Sequence, residues 1–332
     1  MKKILLMLVV LFAMSANIFA DGLTATLQQG DTMTPYYGVN AFQEAYAAAQ
    51  DGAIITLSSG KFNDVSNISK QITVIGAYAF DANSPETTFL GTLNVAANNV
   101  KIEGIYVTGS AILGGSSSFQ THNCTLRKCW IKTTLKSSNK HYNTLIDQCV
   151  VNEESAMANS NNYCIKNSTI HHFYGKNTEN NIAYISNCVI YTMYRSTGGS
   201  TYTVFLPYAI YKNNIIRYRD TNSTVNGFFN GESPREYYNN VILGYTDLNF
   251  HNGCVNEGNK IGDMSILDYG KCQYPAHPID APLGSDGTVV GPYGGTGFSE
   301  YPAIPRIISK SIDSNSNAEG KINVKITVKA EQ

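Results

Sequence analysis

Apolar residues recur along this chain in short groups, each entered through a small polar pair, and the groups return at a nearly constant interval. Aligned on a final aliphatic residue, they read Gly104-Ile105-Tyr106-Val107, Lys128-Cys129-Trp130-Ile131, Gln148-Cys149-Val150-Val151, Asn167-Ser168-Thr169-Ile170, Asn187-Cys188-Val189-Ile190, Asn213-Asn214-Ile215-Ile216, Asn239-Asn240-Val241-Ile242 and Gly258-Asn259-Lys260-Ile261. The final positions are separated by 24, 20, 19, 20, 26, 26 and 19 residues, a mean of 22. A second aliphatic position a few residues upstream, at Leu126, Ile146, Ile165, Ile185 and Ile210, gives each repeat two short strands around a polar corner. No repeat carries a helical stretch of its own, so the pattern predicts an all-β solenoid, one coil of about 22 residues per repeat, stacked at about 4.8 Å per rung.

The second tetrapeptide position is Cys, Cys, Ser, Cys, Asn, Asn and Asn from Cys129 to Asn259. Stacked corners would line these small polar side chains into one column, where each can satisfy its neighbour and the turn backbone. A disulfide between Cys129 and Cys149 is geometrically allowed at that spacing, but exchange with Ser and Asn in the same column favours thiols. The mature chain holds seven cysteines, an odd number, and no CxxC pair or histidine cluster suggests a metal; neither metal nor cofactor is expected.

The ends read differently. Phe42, Ala45, Tyr46 and Ala49 fall on one helical face, so Val39 to Gln50 predicts an amphipathic helix that would cover the first rung. Residues 1–20, with Met1-Lys2-Lys3 before an apolar run, read as a signal peptide. The expected divisions are then 21–284 for the solenoid with its N-terminal cap, 285–305 for a Gly/Pro-rich linker, and 306–332 for a C-terminal β-hairpin extension. In that extension Ile322, Val324, Ile326 and Val328 alternate onto one face. A lone hairpin is marginal in water, so it is expected to dock elsewhere.

Composition narrows the function classes. Charged residues make up 15% and the net charge is −1, which argues against a nucleic-acid partner. No second long apolar run follows the first, so no integral membrane segment is expected in the mature chain. The expected location is secreted or at the cell surface, with the periplasm also compatible; nothing in the sequence fixes the oligomeric state.

The run Ala41-Phe42-Gln43-Glu44-Ala45-Tyr46, continuing through Asp51-Gly52-Ala53-Ile54-Ile55-Thr56-Leu57, resembles the opening of pectin-lyase-like right-handed parallel β-helix proteins. Asp286-Gly287-Thr288-Val289-Val290-Gly291-Pro292-Tyr293 and Pro302-Ala303-Ile304-Pro305 are similar to the tails of secreted β-helix proteins of Bacteroidetes. The resemblance implies a right-handed coil and says little about activity, because that superfamily includes lyases, hydrolases, esterases and adhesins. The NTD, DD, GHG and RIK motifs expected of its polygalacturonase-like hydrolases do not occur here.

Candidate chemistry lies just after the anchors, in Ile170-His171-His172-Phe173-Tyr174, Ile190-Tyr191-Thr192-Met193-Tyr194-Arg195 and Ile216-Arg217-Tyr218-Arg219. Stacked in register, Tyr174, Tyr191, Tyr194, Arg195, Arg217 and Tyr218 would offer ring faces for sugars and guanidinium forks for carboxylates. This predicts a non-catalytic glycan-binding or adhesion module with a polysaccharide ligand. The alternative is a polysaccharide lyase or glycoside hydrolase acting on an acidic polysaccharide, with His172, Arg195 and Arg219 as its catalytic candidates. Strand alternation would send His171 and His172 to opposite faces, leaving at most one for chemistry.

Overall fold

In the computed structural model the described residues are 22–81, 83–114, 120–137, 141–157, 160–175, 182–194, 209–219, 236–244, 248, 254–267, 282–302, 305–312, 316 and 319–329. The signal-peptide segment lies outside them. Two long sheets dominate: one of 12 strands, the other of 13. Beyond an antiparallel entry formed by Thr24–Gln29, Thr32–Tyr37 and Ile54–Leu57, every described pairing within them is parallel. The chain is therefore all-β with stacked parallel sheets, an arrangement compatible with a parallel β-helix.

Register follows the repeat. In the second sheet Val107, Ile131, Val151, Ile170, Ile190, Ile216, Ile242 and Ile261 pair in sequence, each with the next. In the first sheet Leu126, Ile146, Ile165 and Ile185 do the same. The next member differs from expectation: Tyr211 pairs with Ile185 and is fully buried, while Ile210 pairs with Tyr184. Period-two pleating decides this, since a slip of one residue would turn the whole strand inside out. The inward residues of both sheets form one continuous core, in which the Tyr211 and Tyr237 rings stack 4.9 Å apart at 7°.

Two features of the corner hold the rungs in register. Gly104, Lys128, Gln148, Asn167, Asn187, Asn213, Asn239 and Gly258 all have positive φ, a conformation that Gly and Asn adopt at least cost. The residue after each points inward, and where it is Ser or Asn its side chain receives the previous rung's amide. Ser168 Oγ accepts from Cys149 N–H at 3.0 Å, while the thiols donate to carbonyls of their own corner, Cys149 Sγ to Asp147 O at 3.4 Å and Cys188 Sγ to Ser186 O at 3.2 Å. Asn214 Oδ1, Asn240 Oδ1 and Asn259 Oδ1 continue the column, each 2.9 Å from the preceding rung's N–H. Six described cysteines are free thiols, Cys129 and Cys149 among them.

The helix α1 spans Ala41–Ala48, shorter than the predicted Val39 to Gln50, and buries Ala41, Phe42 and Ala45. Lys70 closes its C-terminal end: Nζ donates to the carbonyls of Tyr46, Ala47 and Ala49 at 2.7, 2.9 and 2.7 Å. A cation there meets both the unpaired carbonyls and the negative end of the helix dipole.

The segment expected as a linker lies along the sheets instead. Ser285 Oγ donates to Gly258 O, Asn239 Nδ2 to Asp286 Oδ1, and Gly291 N–H to Asn213 O. Further on, Asn167 Nδ2 donates to Pro292 O and Gly294 O, Ser299 N–H to Gln148 Oε1, and Lys128 Nζ to Tyr301 O. Its partners thus descend the positive-φ row in reverse order, making residues 282–302 a strap. The strap covers an apolar column on the outside of the second sheet, formed by Tyr106, Trp130, Val150, Thr169, Val189, Ile215 and Val241, all buried. Gly291 has to be glycine: its φ is +82°, and a Cβ would stand 2.7 Å from Ile215 Cδ1. After the strap, Arg306–Ile312 and Val324–Lys329 pair antiparallel, with Ile312, Ile322, Val324 and Val328 exposed.

Replacing Asn214 by Ala removes the acceptor of the buried Cys188 N–H, and should lower stability by about 2–4 kcal/mol in urea unfolding. Cys149→Ser, which keeps a small donor in the place of the thiol, should cost less than about 1 kcal/mol. Equal costs for the two would show that the column plays no specific part.

Candidate functional site

The pairing brings the segments after the anchors side by side, though not by a straight count. Register shifts lie between Val151 and Glu154 and between Ile190 and Met193. Glu154 therefore pairs with His172, Ala156 with Tyr174, Met193 with Tyr218, and Tyr194 with Arg219. The side chains of Tyr174, Tyr194, Tyr218 and Arg219, and Arg195 as a whole, lie outside the described residues.

Three side chains of the stripe can be followed. Tyr191 is only 2% exposed, packed with Val189, Ile215, Val241, Leu243 and Leu267 outside the core, so its ring is not a platform open to solvent. Strand alternation sends it outward as expected, but the neighbouring aliphatic residues cover it. Arg217 is half-buried, and its position pairs with Leu243. His172 is exposed and His171 half-buried, their rings 6.0 Å apart and nearly perpendicular. Ile170 and Phe173 both point into the core, so the chain turns at 171–172 and puts both imidazoles outside it, not on opposite faces. His171 leans on Tyr191, with ring centroids 4.8 Å apart.

A second surface is partly open: the outer face of the first sheet. Around the inward Ile146, Ile165, Ile185 and Tyr211, alternation turns two columns outward. One runs Leu145, Cys164, Tyr184, Ile210; the other runs Arg127, Asp147, Lys166, Ser186, Lys212, Tyr238. Tyr184 is 53% exposed, and Lys212 is exposed. With rungs about 4.8 Å apart, Lys166 and Lys212 stand about 10 Å apart, on the rungs on either side of Tyr184. Sequence reasoning passed over these residues, although the alternation around the same anchors points to them.

Asp147 organises the end of this face. Its Oδ2 lies 3.5 Å from both Arg127 Nε and Lys166 Nζ. Burial raises its carboxyl above the ordinary carboxylate range, although Lys166 and then Arg127 pull it down. Tyr238 OH donates to Glu236 Oε2 at 2.9 Å, which raises the phenol's pKa. A ring flanked by ammonium groups can stack on a sugar and meet a carboxylate.

The remaining titratable groups of note are interior. Burial pushes the thiols of Cys124, Cys149 and Cys188 up, which makes them poor nucleophiles. His141 is fully buried, its Nδ1 2.9 Å from Thr144 Oγ1, and burial lowers its pKa from the ordinary 6.5 to about 4. Among the described residues no group of three or more His, Cys, Asp and Glu side chains could hold a metal ion, and no helix is long and apolar enough to cross a membrane. Comparison with protein-family models, curated proteins and solved structures returned no match.

Because His141 takes up a proton less readily when folded, the unfolded chain binds more protons between pH 6.5 and about 4. Its neutral form supports the fold fully above pH 6.5, and that support is lost as pH falls toward 4, amounting to about 3 kcal/mol. Urea midpoints at pH 7.5 and 4.5 should differ less for His141→Gln than for the parent protein; an unchanged difference would exclude His141 as the cause.

Proposed function

We propose that this chain is an exported right-handed parallel β-helix of about 22 residues per coil, capped by α1 and similar to pectin-lyase-like proteins, that binds an extended acidic polysaccharide without transforming it. The observation that carries the reading is the outer face of the first sheet, where the exposed Tyr184 ring lies between the rungs of the half-buried Lys166 and the exposed Lys212. A polymer laid along the stack meets these groups at rung spacing, so several weak contacts add within one chain. Export is supported by the basic start and apolar run of residues 1–20.

Binding is favoured over catalysis on this face by the groups it offers. A phenol ring and ammonium groups suit stacking and charge pairing, while the carboxylate among them, Asp147, is held by Arg127 and Lys166. The imidazoles of His171 and His172 stand after the second-sheet anchors, away from this face.

In affinity electrophoresis the full-length protein should be retarded by polygalacturonate or alginate, and less so as salt rises. Tyr184→Ala and Lys212→Ala should each weaken binding by about tenfold, the effect of removing about 1.4 kcal/mol of contact. Retardation that neither substitution alters would place the ligand elsewhere, and no retardation by any uronate polymer would end the proposal.

A further inference from the structure

The apolar column beneath the strap changes character along its length. Over the later rungs it is aliphatic, Val189, Ile215 and Val241, closed by Val290 and Leu267. Over the earlier rungs it is aromatic: Tyr106 and Trp130 are packed with Tyr78, Phe80 and Phe89, and closed by Phe298 and Tyr301. Aliphatic side chains suffice to seal strap to sheet, as the later rungs show, so packing alone does not account for five rings at one end.

The groups facing the strap end are those that recognise a sugar acid. Tyr301 stacks on Tyr78 with centroids 4.8 Å apart at 28°, and Tyr78 OH donates to Glu300 Oε2 at 3.1 Å. The fully buried Lys128 ammonium donates to Tyr301 O and lies 3.4 Å from Ser299 Oγ. Trp130 is 6% exposed, and its Nε1–H has no acceptor among the described residues. A buried donor is ordinarily given one. The strap thus brings a flat ring and a carboxylate to a site lined by rings, a hydroxyl, an ammonium and a spare indole N–H.

We propose that residues 298–302 are an intramolecular plug in a latent saccharide site, where the Tyr301 ring and the Glu300 carboxylate occupy the places taken by a uronate unit's ring face and carboxylate once the plug is displaced. The ligand class rests on the acidic-polysaccharide reading above; the site itself is separate from the Tyr184 face. Lifting the plug exposes Tyr78 and Trp130 for stacking and frees Tyr78 OH, Trp130 Nε1 and Lys128 Nζ as donors. The plug competes in cis, so apparent affinity is reduced by the fraction of molecules in which the site is closed.

The chain has one tryptophan, so intrinsic emission of the full-length protein reads this site directly. Titration with oligogalacturonate should change Trp130 emission saturably, with affinity raised about tenfold or more by Tyr301→Ala and by Glu300→Gln as the closed fraction falls. Glu300→Gln preserves size and packing, and keeps the test intact should Tyr301→Ala unfold the protein. Emission that stays unchanged in the parent and in Glu300→Gln, or affinities that do not differ between them, would overturn the plug. Tyr184-dependent gel retardation with a silent Trp130 overturns the plug and leaves the surface reading standing. A Trp130 response that Tyr184→Ala does not alter, in a protein whose gel mobility is indifferent to Tyr184, supports the plug and removes the surface reading.

Discussion

At four bends from the first sheet into the second, those of Cys149, Cys188, Asn214 and Asn240, a backbone N–H is buried and bonds to a side chain and not to a strand carbonyl. Water cannot reach it, and leaving it unpaired would cost about 1–3 kcal/mol per rung. The acceptor comes from the next rung's inward side chain: the hydroxyl of Ser168 for Cys149 N–H, and the amide oxygens of Asn214, Asn240 and Asn259 for Cys188, Asn214 and Asn240 N–H. Because each acceptor serves the rung before it, a rung cannot slide along its neighbour without breaking this contact. The register of both sheets depends on it, and with the register goes the assignment of every side chain to core or surface. The same column admits cysteine, whose thiol is sealed from solvent and donates to a carbonyl of its own corner.

Fixing the inward positions fixes the outward ones. The third tetrapeptide position points away from the core on each rung and is apolar on most of them, so the second sheet has an outer column that must be covered. The strap covers it, tied to the side chains of Gln148, Asn167 and Asn239 that already stand at the positive-φ row. The cost of an exposed apolar track is avoided, and the second sheet's face is closed to solvent as a result. Open surface remains on the first sheet, where Tyr184 and Lys212 are exposed.

How much of this is readable from the sequence depends on the range of the interaction concerned. The anchors from Val107 to Ile261 were legible because each rung repeats the same local solution, and the structure pairs them in order. Ile210 against Tyr211 was not, because choosing between adjacent residues requires the partner strand. Residues 285–305 read as a linker for a similar reason: their partners lie between 27 and 173 residues away in sequence, and Gly and Pro signal turns without saying what the turns rest on. Tyr191 lies outside the main core yet is buried in a cluster with Leu243, Leu267 and Val290, which no local pattern links to it.

The positive-φ row has one member that breaks its rule twice. Asn and Gly dominate the row because they tolerate the left-handed conformation, whereas Lys128 adopts it at φ +50° with a side chain that is costlier there. Its side chain is also fully buried, where an ammonium is among the costliest groups to place. The contacts that Lys128 makes with the strap, to Tyr301 O and Ser299 Oγ, lie where the column above it turns from aliphatic to aromatic. An asparagine would satisfy the turn at that position but could not carry a positive charge to the end of the strap. The residue is therefore better explained by what the strap end holds in place than by the needs of the coil.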